Sequence, residues 1–302
     1  MPPPVVPLWS PSASPQSRVE RATGGAVRVL THADTPAVWS LLRSDPVAHV
    51  SAAAAVRNRG TAAPGKGRNG ALLLGIDGAE GLDSACWLGS NIIPVAADAE
   101  AGELFGAALR ALRRRVSSIY GRSEPVLALH RATGWANHRE VRDAQPLMFT
   151  DAPSAEVDPL PGVRRSRIEE FDPVERACAA MFTEELGFSP YQHGAAQYRQ
   201  RVRELIEAGH SLIKVDPDTR QIVFKAEFGA VTEEAVQVQG VWVHPAWRGR
   251  GLAAPGMAAV VAYGLKLAPR VSLYVNSYNT PAIRTYERVG FQRSGTYTTV
   301  LF

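Results

Sequence analysis

Apolar positions along the chain recur with two periods, and the switches between them divide it into short elements. In the first half, AVRVL, GALLLGID, SACWLGSNIIPV, SSIYG and REVRDAQPLMFT alternate or run apolar over strand length and predict strands. AVWSLLRSD, SAAAAVRNR, AGELFGAALRALRRRV and EPVLALHRAT predict helices; Leu104, Ala108 and Leu112 mark one apolar face at four-residue spacing. The second half opens on the strand-like VRRSRIEEF, followed by the helices VERACAAMFTEEL and AAQYRQRVRELIEAG. HSLIKVD, IVFKAEFGAV and AVQVQGVWVHP predict three further strands. A helix over 253–267, the strand VSLYVNSY, the helix TPAIRTYERVG and closing strands in FQRSGTYTTVLF complete the chain.

The predicted order is β-α-α-β-β-α-β-α-β in the first half and β-α-α-β-β-β-α-β-α-β, with an optional last strand, in the second. Near-identity of the two orders predicts an internal duplication, although the halves share little literal sequence. The expected fold class is α/β, with a mixed α+β sheet flanked by helices in each half. Residues 1–24 begin with MPPPVVPLWSPSASPQS, whose proline blocks helix and ladder alike, and predict a disordered tail. Residues 25–150 form the expected first domain and DAPSAEVDPLPG, spanning 151–162, the linker. Residues 163–302 form the expected second domain.

Composition narrows the function classes. The 302 residues are 45% hydrophobic, enough for two ordinary cores, and the formal net charge is +4. That excess is small and spread along the chain, so nucleic acid is not an expected partner. Arg113, Arg114 and Arg115 close a helix, where its dipole favours cations, and TAAPGKGRNG, with Lys66 and Arg68, lacks the P-loop pattern. No apolar run reaches membrane-span length and no secretory signal pattern opens the chain. Cys86 and Cys178, far apart and without C-x-x-C partners, predict small core residues of a reduced, cytoplasmic protein, and no metal-ligand spacing occurs.

Candidate chemistry concentrates at Trp247-Arg248-Gly249-Arg250-Gly251-Leu252-Ala253, between a predicted strand and a predicted helix. Gly249 and Gly251 allow a sharp turn and close approach of a ligand. The first-turn N–H groups and the helix dipole then make an anion site, with Arg248 and Arg250 as further donors. A pyrophosphate is the expected guest. The equivalent place in the first half, AADAEAG, carries Asp98 and Glu100, which repel such a ligand, so the first half is expected not to bind it.

From Val241 onward the residues resemble the GNAT superfamily of acyl-CoA-dependent N-acetyltransferases. Val241-Trp242-Val243-His244-Pro245 is similar to the family's central strand and the kink after it. Arg248 to Ala253 fits the R-x-x-G-x-A turn. Tyr274-Val275-Asn276, Asn279, Ala282, Tyr286 and Val289-Gly290-Phe291 fit the strand, the Asn-x-x-Ala step and the Tyr-x-x-x-Gly-Phe end. The whole chain also resembles an actinobacterial group of GNAT proteins with an N-terminal domain of unknown function, here a degenerate GNAT-like half, and the tandem arrangement is similar to that of mycothiol synthases.

The resemblance implies direct transfer of an acetyl group from acetyl-CoA, as co-substrate and without a metal, to a primary amine of a small molecule or protein. It implies CoA contacts from Val241, Trp242, Val243, Arg248, Gly249, Arg250, Gly251, Leu252, Ala253, Asn276 and Asn279. Tyr286 is then the general acid for the departing thiolate. The family's frequent strand-borne Glu base is replaced here by Gln237 and Gln239. That leaves Glu227, in FKAEF, as the candidate base if burial raises its pKa, or as an ion-pair partner of Lys225. Glu184 and Glu185 lie where the family builds its acceptor pocket, as cation-attracting groups or as a solvated helix end. The rival expectation is a CoA-binding regulatory or sensor module without transferase activity.

Overall fold

The computed structural model describes residues 14–67 and 70–302, the side chain of His193 apart. The chain divides into two units: Met1–Leu41 with Gly60–Asp143 and Thr298–Phe302, and Leu42–Arg59 with Ala144–Tyr297.

The first half carries β1 (Arg28–Val29), α2 (Thr35–Ser44), α3 (Pro46–Arg59), β2 (Leu72–Gly78), β3 (Gly81–Leu88), β4 (Asn91–Val95), α4 (Ala99–Leu112), β5 (Ser118–Arg122), α5 (Ser123–Thr133) and β6 (Glu140–Thr150). The second carries β7 (Arg164–Arg165), α6 (Phe171–Leu186), α7 (Ala195–Glu207), β8 (Ser211–Val215), β9 (Ile222–Val231), β10 (Val236–Val243), α8 (Ala253–Gly264), β11 (Val271–Tyr274), α9 (Thr280–Val289) and β12 (Gln292–Leu301). Both halves therefore read β-α-α-β-β-β-α-β-α-β. The run SACWLGSNIIPV, expected as one strand, is two: the chain reverses at Gly89 and Ser90, and β3 pairs antiparallel with β4. The closing residues form one strand, β12, rather than several.

Pairing repeats with the order. The strands β1-β2-β3-β4 are neighbours in antiparallel sense, and β4 pairs in parallel with β5. In the second unit β7-β8-β9-β10 are antiparallel neighbours and β10 pairs in parallel with β11. The last strands are exchanged: residues 147–150 of β6 pair with β11 in the second unit, whereas Thr298–Phe302 belong to the first. Helix α3 likewise belongs to the second unit, where Ser51 Oγ donates to Gln237 Oε1 at 3.0 Å.

The expected disordered tail is corrected over its last third. Pro15–Thr23 form α1: Ser14 accepts from the Ser17 N–H, Pro15 starts the first turn, and Gly24 closes the helix in the left-handed region. The Ser and Pro that suggest disorder are here capping residues, and Val19 is fully buried in the first unit's core beside Leu72, Phe105 and Leu109. Residues 1–13, and Arg68 of the basic loop, lie outside the described residues.

In the second unit the sheet is covered on both faces. Phe224, Ala226 and Phe228 of β9 pack with Met257, Val260 and Val261 of α8. Strand alternation sends Lys225 and Glu227 to the other face, towards α6. There Phe171, Val174 and Cys178 pack with Val202, Ile213 and Trp242. No helix among the described residues is long and apolar enough to cross a membrane.

Candidate functional site

The site is built where β10 leaves its parallel neighbour. Among the described residues strand β10 pairs with β11 only through Val236–Val271 and Gln237–Ser272, and beyond Gln237 no β11 partner is found. On its other side β10 stays with β9, but the register shifts between Gln239 and Trp242. Gly240, at φ +61°, sits in this bulge, in a conformation that glycine adopts without steric cost. Gly240 and Val241 have no register partner in either neighbouring strand. The expected backbone contacts of Val241, Trp242 and Val243 thus fall on a stretch whose one edge is open.

Past β10, the His244 Nδ1 accepts from the Ala246 N–H at 3.2 Å and shapes the turn Pro245–Trp247. Gly249 and Gly251 follow, at φ +75° and +76°, with open space where a Cβ would stand. Helix α8 then starts without a side-chain cap and without an acid in its first turn; Leu252 occupies the cap position. Three N–H groups, those of Leu252, Ala253 and Ala254, thus lack intrahelical partners beside an open, positively biased turn, Pro255 having no N–H to offer, and this fits a pyrophosphate. Arg250 stacks on Trp247, 4.8 Å from its ring centre. Arg248 donates to the Val243 carbonyl at 3.0 Å and to Glu184 Oε2 at 2.5 Å. The other oxygen of Glu184 accepts from Trp242 Nε1 at 3.3 Å, so this carboxylate ties the turn to β10.

The first unit has the opposite arrangement. Helix α4 is capped by Asp98, whose Oδ1 accepts from the Ala101 N–H at 2.9 Å, and Glu100 lies in its first turn. One N–H is already taken by the Asp98 carboxylate, and Glu100 adds a second negative charge to the first turn.

Asn279 is the N-cap of α9, its Oδ1 accepting from the Ala282 N–H at 3.3 Å. Asn276 is held at both ends of its amide, accepting from Gln145 Nε2 and donating to the Tyr278 hydroxyl, each at 2.8 Å. Tyr286, on α9, is buried with its ring 5.9 Å from that of Phe291. Its hydroxyl makes no hydrogen bond among the described residues. Burial, and then the neighbouring Glu185 charge, pushes the phenol up to about 12, so it stays neutral and a donor across the physiological range.

Of the two roles open to Glu227, the geometry shows the ion pair with Lys225. Its carboxylate is buried, but Lys225, fully buried, donates to Oε1 at 2.7 Å. The Cys178 thiol donates to the same oxygen at 3.1 Å, and Gln239 Nε2 to the other at 3.5 Å. Burial pushes the carboxyl up, yet the Lys225 ammonium, the bonds from Lys225 and Cys178, and Arg201 outweigh it and hold the group below its ordinary value. The expected rise from burial is therefore reversed: both oxygens are engaged and the carboxylate is a weak base. The same pairing holds Lys225 charged against the burial that disfavours its cation.

Two members of this cluster have roles that escape a reading from sequence. Cys178 is the buried core residue expected and is also a donor to Glu227; burial pushes its thiol up to about 12, which keeps it protonated and a poor nucleophile. Lys225 reads only as a partner for Glu227. Cys178 lies on α6 and Lys225 and Glu227, two residues apart, on β9, and only the packed fold brings the two elements together.

Comparisons with known proteins agree with this architecture. Residues 71–174 match a domain of unknown function, DUF4081, and residues 178–291 match the acetyltransferase (GNAT) family. Similar solved structures include a tandem GNAT protein from the clavulanic acid biosynthesis pathway, 16% identical, with a TM-score of 0.55 over 90% of this chain and 97% of that one. A GCN5-related N-acetyltransferase from Sphaerobacter thermophilus is 18% identical, with a TM-score of 0.53 over 91% and 94% of the two chains. A Drosophila protein is 14% identical, with a TM-score of 0.60 over 92% and 98%. No significant match was found among curated proteins. The fold is that of tandem GNAT proteins, with a match to the acetyltransferase (GNAT) family over residues 178–291, preceded in the chain by a match to a domain of unknown function.

Proposed function

We propose that the second half of the chain is an N-acetyltransferase that moves an acetyl group directly from acetyl-CoA to a primary amine. The observation that carries this reading is the uncapped start of α8 behind two left-handed glycines, set beside a strand that has parted from its parallel neighbour. The N–H groups of Gly249 to Ala253 would hold the pyrophosphate. Arg250, and Arg248 on leaving Glu184, would add charge. The open edge of Val241 to Val243 would bind the pantetheine arm by strand-like hydrogen bonds, and the Asn279 amide nitrogen, whose oxygen partner caps α9, is available to it. The Asp98-capped α4 supports a single donor site, in the second half.

In the reaction the amine nitrogen bonds to the thioester carbonyl carbon, the C–S bond breaks, and the proton lost by the amine is balanced by one gained at sulfur. The Val241 N–H, at the bulge, is the donor for the oxygen that becomes anionic. Tyr286 supplies a hydrogen bond to the departing thiolate. Glu227 is not assigned as base; the amine proton passes to water. Cys178, protonated and paired with Glu227, carries no acyl group, which supports direct transfer.

The engagement of Glu227 favours one second reading, a CoA-binding regulatory module in the cell interior that no longer transfers. Incubation with acetyl-CoA and a panel of primary amines separates the two. Amine-dependent release of free CoA supports transfer; tight CoA binding with no release by any amine supports the sensor.

A further inference from the structure

Lys225 is buried beneath the bulge and serves two groups. It pairs with Glu227 at 2.7 Å and donates to the Gly240 carbonyl at 3.0 Å. The Gly240 carbonyl and the Val241 N–H belong to one peptide unit. No cis peptide bond occurs among the described residues, so these two dipoles point in opposite directions. Gripping the carbonyl from the α6 side therefore aims the N–H away from Lys225, on the stretch where β10 has no partner strand.

Among the described residues Lys225 gives the one side-chain hydrogen bond to that peptide. Gly240 has no register partner, and its φ of +61° is a conformation from which a glycine relaxes at little cost. The fit around it is tight: a Cβ on Gly240 would stand 3.2 Å from the Glu227 carboxyl and 3.2 Å from Lys225 Nζ. Glu227 in turn fixes the ammonium, with Cys178 and Gln239 fixing Glu227.

We propose that Lys225 is the positioning residue of the reaction, orienting the Val241 N–H towards the acyl oxygen by holding the Gly240 carbonyl. The proposal rests on the acyl-transfer reading above and extends it: a buried cation whose ordinary account is an ion pair acts through the backbone on the oxyanion donor. Glu227 is its anchor and not a proton acceptor.

The test needs no knowledge of the amine. Difference infrared spectroscopy of acetyl-CoA labelled with ¹³C at the carbonyl reads the polarisation of the thioester directly. On binding to the wild-type chain the carbonyl band should move to lower frequency. Lys225→Met/Glu227→Met removes both charges with side chains of similar volume, an exchange that buried ion pairs tolerate. In this variant acetyl-CoA should still bind and the melting temperature should stay close to that of wild type, while most of the band shift is lost. Any amine-dependent turnover should fall on the order of 10²-fold, the usual loss for one oxyanion donor. Glu227→Gln loses the charge but keeps an oxygen that accepts from Lys225, so the anchor survives and the band shift should be kept.

A full wild-type shift in the double variant overturns the proposal, because the N–H would then be aimed without Lys225. Loss of the shift in Glu227→Gln, with binding intact, overturns it too, by placing control with the carboxylate. A wild-type chain that binds no acetyl-CoA shows no bound band at all and removes the acyl-transfer reading together with this one.

Discussion

Replacing Tyr286 by Phe deletes one hydroxyl that makes no hydrogen bond among the described residues and leaves the ring against Phe291. Stability should change by less than about 1 kcal/mol, since no buried bond is broken. The effect on chemistry follows from the phenol's acidity. With the hydroxyl pushed up to about 12, full proton transfer to a thiolate whose acid lies near ~8.5 would be uphill by about 5 kcal/mol. Tyr286 therefore stabilises the leaving group by a hydrogen bond rather than by delivering its proton. A hydrogen bond to a charged acceptor contributes about 1.5–3 kcal/mol, which is roughly 10- to 150-fold in rate. This is smaller than the upper range for a general acid, and the difference comes from burial. Rapid-quench single turnovers with acetyl-CoA and any accepted amine give the chemical step, and calorimetry gives donor affinity, expected to be nearly unchanged. A chemical step within about twofold of wild type, with the fold intact, would refute the role.

Lys225→Met alone should destabilise the protein by about 3–5 kcal/mol, because it leaves the Glu227 carboxylate buried without its cation; chemical denaturation against the double Met variant measures the difference. The pH dependence of stability follows from the same pair. Glu227 is held below its ordinary value, so its contribution is present above the unfolded carboxyl pKa near ~4.3 and is lost as pH falls through the folded value. Lys225 is held above its own, so its contribution is present below ~10.4 and is lost as pH rises through the folded value. Melting curves across pH should show acid-side and alkaline-side losses that both diminish in the double variant; unchanged curves would remove the pair from the balance. Gly240→Ala should cost about 1–2 kcal/mol for the left-handed backbone and, by pressing on Glu227 and Lys225, depress turnover more than CoA affinity. Equal effects on both would contradict the separation of bulge and turn.

Much of the architecture is legible in sequence because alternation and helical period mark each element, and the duplicated order emerges from counting them. The glycine turn is legible because its chemistry is local: two glycines, two arginines and a helix start lie within seven residues. What sequence misses is set at a distance. Ser14 and Pro15 read as disorder until their role as cap and first turn is seen, with Val19 supplying the buried anchor. The turn between β3 and β4 hides in a run of apolar residues, because Gly89 and Ser90 are a short signal inside it. The pKa of Glu227 reverses direction through Lys225 and Cys178, one of them on another element, and burial alone predicts the wrong sign. The exchange of the last strands leaves no local mark at all, since Leu147 and Met148 would bury equally well in either unit.

The central claim is that the turn before α8 binds CoA and that its counterpart before α4 does not. Titration calorimetry of CoA into the wild-type chain and into Gly251→Asp tests it most directly. Beyond its chain neighbours no atom lies within 4 Å of a Cβ placed on Gly251, so the variant should fold despite the strain of a side chain at φ +76°, while its carboxylate stands where the pyrophosphate is expected. The account predicts one CoA per wild-type chain and none measurable in the variant, which still unfolds cooperatively with a melting temperature lowered only by the left-handed backbone cost of about 1–2 kcal/mol. Two CoA molecules per wild-type chain, or undiminished binding in Gly251→Asp, would contradict it.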